Sequence, residues 1–174
     1  MPITKKAKLI RLLILDIDGV LTSGTLFYGA NGIELNGFHI HDGVGIQLLQ
    51  KCGIAVAVIS GKKSESAVRR MQDLRIPHVY LGQDDKLPAY EELKQKLQLV
   101  DEQIAYIGDD LPDLPILQRV GLAVTVPQAP LALRERVDLI TKNNGGNGAV
   151  REICELIMTA QDHYETMLQS YLDQ

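Results

Sequence analysis

Asp16 and Asp18 stand two residues apart in Asp16-Ile17-Asp18-Gly19-Val20-Leu21-Thr22, directly after the apolar run Leu12-Leu13-Ile14-Leu15. Side chains alternate along a strand, so two acids at this spacing share a face. Beside a buried run, neither loses its charge cheaply. If the chain turns at Gly19, both lie at the carboxyl end of the strand, where open α/β sheets hold their ligands. A divalent cation would neutralise the pair there, leaving one carboxylate to act as a nucleophile. Taken alone, the pair reads equally as a turn with two solvated acids.

Three further polar clusters follow apolar runs. Ser60-Gly61-Lys62 follows Ile59, Lys86 follows Gly82-Gln83-Asp84-Asp85, and Gly108-Asp109-Asp110-Leu111-Pro112-Asp113 follows Ile107. In a parallel sheet all four clusters lie along one edge, and their residue types suit phosphoryl transfer. Mg²⁺ prefers a few carboxylates with water and phosphate oxygens; Asp16 and Asp109 offer carboxylates, and Asp18 its backbone carbonyl. The Ser60 hydroxyl and the amides ahead of the next helix can donate to phosphate oxygens. Lys86 adds a compact positive charge. Such chemistry is mostly positioning and charge stabilisation. Each cluster also has a plain structural reading. Ser60 can cap a turn, Lys86 can be a solvated helix-start residue, and Asp110 and Asp113 can cap the helix that begins near Leu114. Asp109 beside Asp110 is harder to explain that way, because like charges at a strand end repel.

The elements that must position these groups follow from apolar patterning. Runs at 12–15, 54–59, 79–81, 104–107, 122–124 and 138–140 read as strands covered on both faces. Helical segments are expected between them at 43–51, 64–74, 87–97, 114–120 and 130–136. This alternation predicts an α/β fold, a three-layer Rossmann-like parallel sheet, as one domain over residues 1–174. Residues 25–41 break the rhythm. Leu26-Phe27-Tyr28, a turn at Gly29-Ala30-Asn31-Gly32, then Ile33-Glu34-Leu35 reads as a β-hairpin inserted after the first strand. After Gly145-Gly146-Asn147-Gly148 one long C-terminal helix is expected. Val150, Ile153, Cys154, Ile157, Tyr164, Leu168 and Tyr171 fall on its period, with Gln161 the polar exception.

Composition narrows the partners. The net charge of −4 argues against nucleic acid. No apolar stretch reaches membrane length and nothing resembles a signal peptide, so a cytoplasmic protein is expected. Cys52 and Cys154 lack metal-type spacing and read as buried free thiols. Two isolated hairpin strands are marginal in water, yet Leu26, Phe27, Ile33, Leu35 and Phe38 are apolar. Several hairpins are therefore expected to pack together between subunits; the alternative is a hairpin folded over its own sheet.

The ordered motifs resemble those of the haloacid-dehalogenase-like superfamily of phosphohydrolases, over nearly the whole chain. The resemblance implies that Asp16 is the nucleophile that forms an aspartyl-phosphate. It makes Asp18 the general acid/base, Ser60 the phosphate-binding hydroxyl, Lys86 the third-motif lysine and Asp109 the metal-binding acid with Asp110 its neighbour. The short hairpin without a large cap domain looks like the capless branch. The strings Phe27-Tyr28-Gly29, Asp42-Gly43-Val44-Gly45-Ile46, Gly82-Gln83, Asp85-Lys86-Leu87, Gly108-Asp109-Asp110-Leu111 and the stretch from Gly145 to Glu152 are similar to the 3-deoxy-D-manno-octulosonate 8-phosphate phosphatases. That family implies Mg²⁺, lipopolysaccharide synthesis, and a homotetramer whose hairpins form a central barrel and whose subunits complete one another's active sites. It also implies substrate contacts at His39, Ile40, His41, Asp42, Gly43, Gln47, Gly61, Lys62 and Arg70, besides Asp18, Ser60 and Lys86. His41, Gln47 and Lys62 stand where the family is often more basic or carries Arg, and Lys lacks the bidentate fork of Arg. These departures keep a nine-carbon sugar-acid phosphate open as an alternative substrate. As an isolated pair, His39 and His41 also read as an exposed strand edge. A catalytically silent tetramerisation module is a third reading, opposed by the complete set of acids and Lys86.

Overall fold

The computed structural model describes residues 1–173. Six parallel strands form one sheet in the order β5-β4-β1-β6-β7-β8. They are β1 (Leu12–Leu15), β4 (Ala55–Ser60), β5 (His78–Leu81), β6 (Ile104–Ile107), β7 (Leu122–Thr125) and β8 (Leu139–Ile140); β2 (Phe27–Tyr28) and β3 (Glu34–Leu35) form the hairpin. The helices are α1 (Ile3–Leu9), α2 (Ile40–Lys51), α3 (Glu65–Asp73), α4 (Leu87–Lys96), α5 (Leu114–Leu117), α6 (Leu131–Arg134), α7 (Ala149–Ala160) and α8 (Tyr164–Leu172). All four residues of β1 are fully buried, as expected of a central parallel strand covered on both faces. The chain leaves β1 for β4 on one side and later fills in β6 on the other. Right-handed crossovers then place helices on both faces. This makes the end of β1 the topological switch point. Register aligns the strand ends there: Leu15 pairs with Val58 of β4 and Ile107 of β6.

The expected architecture is borne out, with three corrections. An N-terminal helix, α1, precedes β1; the closely set Lys5, Lys6 and Lys8 hide its buried Ala7. The helix after the hairpin starts at Ile40, not Gly43, so His41 and Asp42 are helical rather than extended. The single C-terminal helix is two, α7 and α8, broken where Asp162 takes a left-handed φ of 61°. Gln161 ends α7, and its Nε2 donates to the carbonyls of Ala7 and Ile10 at 3.1 and 2.8 Å. The polar exception in the periodic face is therefore the cap on the end of α1.

In the hairpin Phe27 pairs with Leu35 and Tyr28 with Glu34, antiparallel. Asn31 and Gly32 turn the chain with φ of 63° and 75°. Leu26, Phe27, Tyr28, Ile33 and Leu35 are all exposed, so the hairpin does not bury its apolar side chains on its own sheet. Cys154 is buried and Cys52 half-buried, both as free thiols. Among the described residues no helix is long and apolar enough to cross a membrane.

Candidate active site

The turn after β1 is built to hold two acids. Asp16 N–H donates to Ile107 O at 3.1 Å, extending the β1–β6 ladder by one residue. The amides of Val20, Leu21 and Thr22 all converge on Ile17 O, at 3.2, 2.9 and 3.0 Å. The Thr22 hydroxyl accepts from Gly19 N–H at 3.3 Å and Gly24 N–H at 3.2 Å. Gly19 sits at φ +82°, and a Cβ there would fall 1.9 Å from Asp109 Oδ2. Glycine is thus required twice, by conformation and by the approach of the second acid. The string 145–148 closes on the same turn. Gly146 N–H donates to Val20 O at 2.9 Å, Gln128 Nε2 to Gly19 O at 3.1 Å, and a Cβ on Gly145 would meet Gly19 O at 1.7 Å.

Charge at this edge is unbalanced. The buried Lys86 ammonium lies 2.8 Å from Asp16 Oδ1 and 2.7 Å from Asp113 Oδ1. Tyr106 OH donates to Asp113 Oδ1 at 2.6 Å, and the amides of Asp109 and Asp110 donate to Oδ2 at 2.9 and 3.1 Å. Carboxylate oxygens of Asp16, Asp109 and Asp113 lie within 4.8 Å of one another, so one ammonium faces three carboxylates. Burial, then the charge on Asp113, pushes the Asp16 carboxyl up to about 8. Burial, then Asp113 and Asp110, pushes Asp109 up to about 7. Burial also raises Asp18, with Lys62 pulling it back. Burial alone would lower Lys86, but Asp16 and Asp113 outweigh it and hold the ammonium above its ordinary value. A divalent cation would correct this excess of negative charge, and an all-oxygen donor set suits Mg²⁺. Asp113 already accepts four hydrogen bonds, which makes it a strut; Asp16 and Asp109 keep lone pairs for a metal.

The cleft of about 410 Å³ at this edge brings together Asp16, Asp18, Ser60, Gly61, Lys62, Lys86 and Asp109. The four strand-end clusters thus meet as expected. Lys86 is not a solvated helix-start residue, since its side chain is 5% exposed. Other expected contact residues lie elsewhere in the single chain. His39 and His41 meet edge-on at 5.1 Å and line a separate cavity of about 310 Å³ with Lys142, Asn143 and Arg151. The Asp42 carboxylate is buried and caps α7, accepting from Arg151 N–H at 2.8 Å and Gly148 N–H at 3.4 Å. Arg70 donates to His39 O at 3.4 Å and stacks its guanidinium over Phe38. A Cβ on Gly43 would strike Arg70 Nη2 at 2.3 Å. Ile40 is exposed, and Gln47 lines a third hollow with Lys51 and Arg75. Within one chain, then, segment 39–43, Gln47 and Arg70 do not reach the cleft. The helix begins earlier than the glycine at 43 suggests, and it turns Asp42 toward α7. Sequence reasoning missed Tyr106 as the partner of Asp113. Its signal was a hydroxyl inside an otherwise apolar strand, two residues before Gly108.

Residues 76–153 match the haloacid dehalogenase-like hydrolase family. The chain is 47% identical, over 90% of its length and 83% of the relative's, to the 3-deoxy-D-manno-octulosonate 8-phosphate phosphatase KdsC of Escherichia coli. The chain belongs to this family of phosphatases. A solved member from Moraxella catarrhalis, in complex with magnesium ion, phosphate ion and KDO, superposes with a TM-score of 0.95 at 43% identity, covering 97% of each chain. The cobalt-bound phosphatase from Haemophilus influenzae superposes with a TM-score of 0.91 at 40% identity, covering 96% of this chain and 99% of that one. As a member of the phosphatase family the chain is a phosphoric monoester hydrolase. The likeness over nearly the full length of both solved relatives leaves no room for a large cap domain.

Proposed function

We propose that this phosphatase hydrolyses 3-deoxy-D-manno-octulosonate 8-phosphate to the free sugar acid and phosphate, with Mg²⁺, in lipopolysaccharide synthesis in the cytoplasm. The observation that carries the reading is the cleft in which Asp16, Asp18, Ser60, Lys86 and Asp109 converge from four strand ends. Asp16 attacks phosphorus in line and the sugar oxygen leaves. Asp18, raised by burial, is suited to hold the proton that this oxygen takes up. It then accepts a proton from water, which hydrolyses the aspartyl-phosphate. Ser60 and the amides of the following loop hold phosphate oxygens, and Lys86 orients Asp16 while opposing its charge. Asp16, Asp109 and the Asp18 carbonyl would hold Mg²⁺, which would neutralise the acids and polarise a phosphoryl oxygen.

Phosphate release from eight- and nine-carbon sugar-acid phosphates, with and without Mg²⁺, tests the reading. Turnover is expected to need Mg²⁺ and to favour the eight-carbon acid; a clear preference for the nine-carbon acid would move the assignment to that substrate. Asp16 and Asp109 are pushed up to about 8 and about 7, so the cation must displace protons to bind them. The half-saturating Mg²⁺ concentration should therefore rise as pH falls from 8 to 6, steepening towards about tenfold per unit for each proton displaced once the pH lies below both values. A flat dependence would remove these two acids from the metal site.

We propose further that the hairpins pack together in a homotetramer. The exposed Phe27, Tyr28, Ile33 and Leu35 on a two-stranded unit support this, since such a hairpin is marginal alone. A neighbour would also be the means by which His39, His41, Gln47 and Arg70 approach a cleft that their own chain keeps from them. Light scattering at micromolar concentration should return four times the chain mass, and a clean monomer would refute the assembly. A silent assembly module is disfavoured by the complete acid and lysine set of the cleft.

A further inference from the structure

The hairpin leaves its apolar side chains exposed, yet its second strand and the residue after it are tied to the loop after β4 and the start of α3. Glu34 Oε2 lies 2.6 Å from Lys62 Nζ. Asn36 Nδ2 donates to Ser64 Oγ at 3.2 Å and to Ser66 Oγ at 2.9 Å. The same loop carries groups assigned above to phosphate. Lys62 N–H donates to Ser60 Oγ at 3.3 Å, and Ser64 Oγ accepts from Ala67 N–H at 3.2 Å to start α3.

Lys62 lines the cleft, but a lysine is a point charge on a flexible four-carbon stem. Something must hold it if it is to meet a ligand in one place. Among the described residues Glu34 is its one ion-pair partner. Glu34 gives up hydration to be there, because its Oε1 is buried with no partner, as is Asn36 Oδ1. Two acceptors left unpaired oppose this arrangement, so the contacts to Lys62, Ser64 and Ser66 are what hold the strand on the loop.

We infer that Glu34 is a positioning residue for Lys62: presented by the hairpin and steadied by Asn36, its carboxylate fixes the Lys62 ammonium at the rim of the cleft, where it meets the anionic ligand. The hairpin and the phosphate loop then move as one unit, which joins the exposed apolar surface to the cleft. The inference rests on the phosphatase class and on the assignment of Ser60 and the loop that follows it to phosphate. It does not depend on which sugar is carried.

The test is Mg²⁺-dependent hydrolysis of p-nitrophenyl phosphate, with inorganic phosphate as competitive inhibitor. It compares the full-length wild type with Glu34→Ala, Glu34→Gln, Lys62→Met and the two Glu34 changes in the Lys62→Met background. Glu34→Ala should raise KM and the phosphate inhibition constant roughly fivefold, with kcat changed by less than about twofold. Glu34→Gln keeps an oxygen acceptor for Lys62 and should recover most of the loss. Neither Glu34 change should add anything once Lys62 is Met, whereas a purely structural Glu34 would show the same penalty in both backgrounds. If the Ala variant does not fold, Glu34→Leu, which likewise leaves Lys62 without an acceptor, carries the comparison in the two backgrounds. Unchanged or tighter phosphate binding in Glu34→Ala, or an equal penalty without Lys62, would overturn the inference. A wild type inert toward the ester would overturn the assignment of the cleft as well.

Discussion

Asp16→Asn should fold and release no phosphate. The amide matches the carboxylate in shape but is not a nucleophile toward phosphorus, so no aspartyl-phosphate forms. Removal of one member of a catalytic set costs on the order of 10⁴-fold or more in turnover, or about 5.5 kcal/mol of barrier. The fold should tolerate the change, because Asp16 is a buried acid that its surroundings make hard to ionise. Its carboxyl is pushed up to about 8, first by burial and then by Asp113. The neutral amide removes that tension, and Lys86 keeps Asp113 at 2.7 Å. The metal-free variant should therefore melt no lower than the metal-free wild type at pH 8. Added Mg²⁺ should raise the melting temperature of the variant less, since one carboxylate ligand is gone. Steady-state phosphate release and calorimetry check both halves. Full activity in a folded Asp16→Asn protein would sink the nucleophile assignment.

Lys86→Met should damage both stability and turnover. Its ammonium is the only cation within bonding distance of Asp16 and Asp113 among the described residues. Without it, two buried carboxylates face each other with no counter-charge. Breaking a buried pair from one side costs about 3–5 kcal/mol, which for a chain of this size is a fall of roughly 6–20 °C in melting temperature. The sign with pH is defined. A folded-state carboxyl raised above its unfolded value binds more protons when folded, so stability falls as pH rises from about 4 towards 8. Loss of Lys86 removes the charge that pulls Asp16 down and raises it further, so the deficit of the variant should be small at pH 5 and largest at pH 8. Turnover should fall as well, because the orientation of Asp16, the proposed nucleophile, is lost. Thermal melts at the two pH values check the claim, and a wild-type melting temperature at pH 8 would contradict it. The neighbouring Tyr106 hydroxyl cannot take over, as it donates to the same Asp113 oxygen.

Much of this molecule is legible without coordinates, for identifiable reasons. Continuous apolar runs such as Leu12–Leu15 mark parallel strands because a strand covered on both faces needs no polar alternation. The acids at 16, 18 and 109 and Lys86 stand out because charged residues after such runs are expensive unless they serve one another. What stayed hidden depends on contacts far apart in sequence. Asp42 looks like a contact residue until α7 supplies the amides of Gly148 and Arg151, 106 and 109 residues on. Gln161 looks like a flaw in a helix until α1 offers two carbonyls. Asp113 reads as a helix cap, and it does bind two amides of its own turn, yet Lys86 and Tyr106 make it the strut of the cleft.

By itself, then, the sequence determined the class of chemistry and the sheet edge where it occurs, because residue type and apolar periodicity are local properties. Tertiary structure decided which acids keep free oxygens in the cleft and which are spent on hydrogen bonds. It also decided that segment 39–43 faces away from its own cleft, and that Glu34 of the hairpin holds Lys62. Those outcomes turn on distances of 2.6–3.4 Å between residues many positions apart, and only packing sets such distances.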